Sequence, residues 1–128
     1  MVAKVKIVMA PEMPDAVLIG SVVYRVTIDP DEWMRYENTS QCKGAYGHTD
    51  SMVAVIYISP YISPDNERLT LWHEIMHAIC DTVIGSPHWD HLGEGPTERE
   101  ERVVRTFESP IVLVLRDNPQ LVAYLTAP

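Results

Sequence analysis

From Pro64 to Ile84 the chain runs without a glycine or a second proline, and this stretch constrains the fold more than any other. Ser63-Pro64 opens it as a helix N-terminus opens: a hydroxyl cap, then proline at the first helical position, where its missing N–H is not needed. Gly85-Ser86-Pro87 closes it. The spacing predicts one long helix over 64–84. On a wheel of about 100° per residue, Leu69, Trp72, Met76, Ile79, Cys80 and Val83 form one broad apolar arc, which is expected to face the core.

The first half of the chain has a different texture. Val5–Val8 reads as a first strand. Ser21–Ile28 alternates, with Val22, Tyr24, Val26 and Ile28 on one face, and Asp29-Pro30-Asp31 stops it. Residues 31–50 mix polar and aromatic groups and read as a loop or short hairpin. Met52–Ser59 is β-branched and is the strongest strand signal. After the long helix comes a loop, His88–Pro96, and then a second helix from about Thr97. Ser109-Pro110 is expected to interrupt that helix, and Asn118-Pro119 to start a last short one. These elements amount to an α+β fold. Its antiparallel or mixed sheet of three or four strands packs against the long helix, and a second helix crosses that one. At 128 residues, a single domain is expected over 1–128.

Charge narrows the function classes. Ten Lys and Arg stand against 18 Asp and Glu, a net charge of −8. That opposes binding to a nucleic-acid backbone or to anionic lipid, and no apolar run approaches the length of a membrane span. The N-terminal stretch is broken early by Pro11 and Pro14 and reads as a strand, not a signal peptide. Two cysteines, Cys42 and Cys80, fit free thiols in a reducing cytoplasm.

Within the long helix lies His73-Glu74-Ile75-Met76-His77, an H-E-x-x-H pattern. Residues four apart share a helix face, so both imidazoles can reach one metal ion. Glu74 is about 100° round from His73, off the ligand set but close enough to take a proton from a water on that ion. Zinc is the expected cofactor, with His73 and His77 as ligands and Glu74 as general base.

The stretch Leu69–Asp81 around this motif resembles the active-site helix of zincin metallopeptidases. Glu-Glu-Arg-Val-Val and Leu-Arg-Asp-Asn-Pro further on are similar to short phage-encoded zincin-like proteins, relatives of the ImmA/IrrE metallopeptidases. The resemblance spans about residues 44–125. It implies peptide-bond hydrolysis, regulatory cleavage of a protein target, and a setting in a bacterial host cell. It also implies that Met52–Ser59 is the edge strand of the cleft, onto which a peptide substrate adds as an extra strand.

A catalytic zinc takes a third protein ligand. The metzincin pattern needs glycine and histidine where this chain has Cys80 and Val83, so that class is excluded. The gluzincin pattern takes a glutamate from a downstream helix. Glu100 points to the centre of the stripe formed by Val103, Val104, Phe107 and Ile111, which favours it. Thr97-x-x-Glu100 is also a capping box, which would use Glu100 differently. Glu101 is next in order, followed by Glu94, Glu98, His88 and His91. Asp81 can orient His77. Cys80 reads as a buried small residue, Trp72 as core, and Tyr46 and His48 as loop residues able to approach the site. Trp33 and Tyr36 can shape a groove or cover the sheet. The reading from another class is a zinc-binding regulatory or interaction module with little or no peptidase activity.

Overall fold

The computed structural model describes residues 11–39, 45–85 and 95–128. The strand expected over 5–8, Cys42, and the loop residues His88, His91 and Glu94 lie outside them. The fold is α+β, as expected, and its first described elements form a hairpin that the sequence pattern does not predict. Strands β1 (Ala16–Ile19) and β2 (Val22–Thr27) pair antiparallel across Gly20-Ser21. Gly20 adopts φ +61°, which a two-residue turn demands and which only glycine adopts at little cost.

Residues 30–39, expected as loop or hairpin, are helix α1 (Pro30–Thr39). Asp29 caps it, its carboxylate accepting the Glu32 N–H at 3.0 Å. Glu32 then reaches back to the Arg25 guanidinium at 3.1 Å and to the Thr27 hydroxyl, fastening α1 to β2. The Arg25 hydrogen bond, helped by Thr27, holds the Glu32 carboxyl below its usual range.

The strand expected over 52–59 is shorter. Strands β3 (Gly47–Asp50) and β4 (Val55–Ile58) form a second antiparallel hairpin, and residues 51–54 are its turn. Asp50 accepts the Met52 N–H at 3.1 Å and Ala54 takes φ +54°, so Met52 and Val53 point into solvent. Because β2 and β4 run parallel, the sheet is mixed, in the order β1-β2-β4-β3. The edge strand on the cleft side is therefore β3, and β4 lies inside the sheet. This corrects the assignment of the edge to Met52–Ser59.

Helix α2 (Pro64–Ile79) starts where the sequence places it, with Ser63 accepting the Asn66 N–H at 3.2 Å. It continues as a π-helical turn, Cys80–Ile84, and ends at Gly85 with φ +78°. Its buried face is Leu71, Ile75, Ala78 and Ile79, packed with Val17, Ile19, Ile56 and Ile58 of the sheet. The expected arc is thus rotated by about a third of a turn. Trp72 and Met76 are half-buried, while Leu69 and Val83 are 70% and 42% exposed. The large side chains misled the wheel: smaller Ala78 and the polar pair Thr70 and Glu74 lie on the inner face.

Helix α3 (Pro96–Asp117) continues through Pro110, which was expected to interrupt it, although that residue lacks the N–H for an intrahelical bond and its ring crowds the carbonyl four residues back. Its N-cap is Gly95, so Thr97 lies inside the helix and forms no capping box with Glu100. Val114 is buried and Phe107 and Ile111 lean on the core, but Val104 is exposed. The first half of α3 therefore does not carry the buried stripe expected of it. Helix α4 (Pro119–Leu125) closes the described chain, burying Leu121 and Tyr124. Asn118, between α3 and α4, turns its amide to β1. It accepts the Leu18 N–H at 2.8 Å and donates to the carbonyls of Leu18 and Val114.

Candidate metal centre

One turn of α2 brings His73 and His77 together, their Nε2 atoms 3.2 Å apart. Two nitrogens bound to one zinc at about 2.05 Å and a tetrahedral angle would sit about 3.3 Å apart, so the pair fits a shared ion. Glu74 completes the cluster, with its ligand atom and those of both histidines all within 4.8 Å of one another. The two imidazoles face solvent while Glu74 is only 5% exposed. A carboxylate buried that far needs a partner. Thr49 of β3 supplies it, its hydroxyl 2.7 Å from Glu74 Oε2. The other oxygen, Oε1, stands 4.0 Å from His73 Nε2.

The cluster lies on a groove between α2 and the edge of β3 that is unpaired among the described residues. On one side is a cleft of about 350 Å³ that includes Gly47, Thr49, His73, Glu74, His77 and Asp81. On the other is one of about 390 Å³ that adds Tyr46, Asn66, Leu69 and Thr70. Asn66, Thr70, Glu74, His77 and Asp81 recur at helical spacing, so one face of α2 lines the whole groove. Gly47 allows the close approach. A Cβ there would stand 2.7 Å from Thr70 Cγ2 and 3.0 Å from Glu74 Cγ.

Other residues singled out from the sequence distribute around this centre. Asp81 is exposed and lines the cleft with both histidines. Cys80 is half-buried in a groove with Trp72 and Met76, its thiol pushed up by burial and then by the Asp81 charge. His48 stacks on Tyr36 at 4.6 Å between centroids, and both line the cleft, so α1 contributes a wall that the sequence reading left undecided. Trp33 is buried beneath. Glu100 is exposed, and the cluster among the described residues consists of His73, Glu74 and His77 alone. Glu98 pairs with Arg102 at 3.5 Å and Glu101 with Arg105 at 2.9 Å. Thr49 and Gly47 were not singled out, because their roles depend on a strand pairing that no local pattern encodes.

A helix carrying H-E-x-x-H beside the edge of a mixed sheet defines a zincin-type metallopeptidase module. Residues 29–114 match the model of the M78 peptidases, the IrrE N-terminal-like domain, and the chain belongs to that family. No curated protein and no solved structure matches it. Among the described residues, no helix is long and apolar enough to cross a membrane.

Proposed function

We propose that the protein is a zinc-dependent peptidase that cleaves an extended segment of a peptide or protein target. The observation that carries this is the pair of imidazole nitrogens 3.2 Å apart with a buried carboxylate beside them, on a groove along a strand edge unpaired among the described residues. A zinc ion bound there would polarise a peptide carbonyl and bring the pKa of water to about 7. His73 and His77 would hold the ion. The third ligand is sought on α3, with Glu100 first and Glu101 second; neither joins the cluster among the described residues.

The target lies along β3, adding a strand to the sheet and placing a carbonyl opposite the histidines. Glu74 takes a proton from the attacking water as the water oxygen bonds to the carbonyl carbon. It returns that proton to the amine nitrogen as the C–N bond breaks, and the carboxylate is restored. The test compares the zinc-loaded chain with Glu74→Gln on a peptide library. Glu74→Gln retains about one zinc per chain and loses cleavage by a hundredfold or more. Equal cleavage by both would overturn the peptidase reading. Zinc binding without cleavage by the parent would leave the regulatory zinc module in its place.

A further inference from the structure

We propose that Thr49 is a positioning residue that decides which oxygen of Glu74 does the chemistry. The inference rests on the reading of Glu74 as general base. The Thr49 hydroxyl has one proton and two acceptors in reach, Glu74 Oε2 at 2.7 Å and the Glu74 carbonyl oxygen at 2.9 Å. A carboxylate is the stronger acceptor, so the proton goes to Oε2. Oε1 has no hydrogen bond among the described residues and lies on the side of His73. A proton taken from water therefore lands on Oε1, facing the histidine pair, and is returned from there.

The anchor is stiff for a reason visible in the backbone. Thr49 stands on β3 two residues after Gly47, so both face α2. Gly47 leaves no slack between strand and helix, with its Cβ position already in contact with Thr70 and Glu74. The strand that would pair with the target is thus the strand that aims the base. Target docking and base placement share one rigid unit.

Thr49→Val keeps the shape and removes the donor; Thr49→Ser keeps the donor. Thr49→Val is expected to lower kcat about tenfold, with KM and bound zinc within twofold of the parent. Thr49→Ser recovers most of the loss, which a purely steric role would not predict. In a Glu74→Gln background, Thr49→Val has no further effect on residual turnover. Unchanged kcat in Thr49→Val, while Glu74→Gln is inactive, overturns this proposal and leaves the peptidase reading standing. Full activity in Glu74→Gln overturns the peptidase reading instead. A readout free of activity is the double-mutant cycle on unfolding of Thr49→Val and Glu74→Ala, which removes donor and acceptor in turn: coupling supports the anchor, and strict additivity overturns it.

Discussion

The sheet has two edges, and they are finished in opposite ways. At β1 the amide of Asn118 docks on the strand, accepting from and donating to Leu18 as a neighbouring strand would. At β3 the backbone pairs with β4 on one side only among the described residues, and the metal cluster stands beside the other. An unpaired edge invites pairing with any extended chain, so proteins usually blunt it. Here one edge is blunted by a single side chain, and the other lies beside the His73, Glu74 and His77 cluster. On the proposed reading, Asn118 would confine target pairing to the β3 edge.

This contrast can be broken in order of expected size. His77→Ala removes half of the imidazole pair; bound zinc falls from about one per chain to below a tenth, and cleavage is lost. Elemental analysis after dialysis reads the first effect and a peptide assay the second. Next, N-methylation of a target amide that pairs with β3 should raise KM by about tenfold or more, while methylation of the next amide along, which points away, does little. Asn118→Ala acts at the other edge. It deletes hydrogen bonds to half-buried backbone groups and should cost about 1–3 kcal/mol in denaturant unfolding. Bound zinc should stay the same, and self-association should rise with concentration as β1 opens.

The smallest effect lies between α1 and β2. The Glu32 carboxyl is held below its ordinary pKa, first by Arg25 and then by Thr27. Its ionised form is therefore favoured by folding. The stabilisation is complete above the unfolded-state pKa and is lost as pH falls through the lower folded-state value. Glu32→Gln should destabilise by no more than about 1 kcal/mol at neutral pH, since the pair is partly solvated. The gap to the parent should close under acid, which paired unfolding curves would measure.

What could be read from the sequence tracks how local each signal is. The start of α2 at Ser63-Pro64, its end at Gly85, and α4 after Asn118-Pro119 follow from residues adjacent in the chain. The H-E-x-x-H pair is equally local, because four residues make one turn. Helix α1 was readable too: Asp29-x-x-Glu32 is a capping pattern with proline at the first turn, obscured by the polar and aromatic mixture after it. The inner face of α2 was not, since small Ala78 and polar Glu74 face the sheet only because β3 and β4 lie there. The same holds for Glu100. Its wheel position assumed a buried first half of α3, whereas the helix meets the core through Phe107, Ile111 and Val114.

Gly47 also limits the errors open to the chain while folding. Side chains alternate along a strand, so a slip of one residue between β3 and β4 would exchange the faces of the whole strand. Tyr46, His48 and Asp50 would then turn toward α2. A side chain would occupy a space where even one carbon stands 2.7 Å from Thr70, and the Asp50 carboxylate would be driven toward that of Glu74. Steric overlap and like-charge repulsion both oppose the slipped pairing. A strand of only four residues, too short to specify its alignment by buried apolar surface, is thus kept in register by the smallest residue it contains.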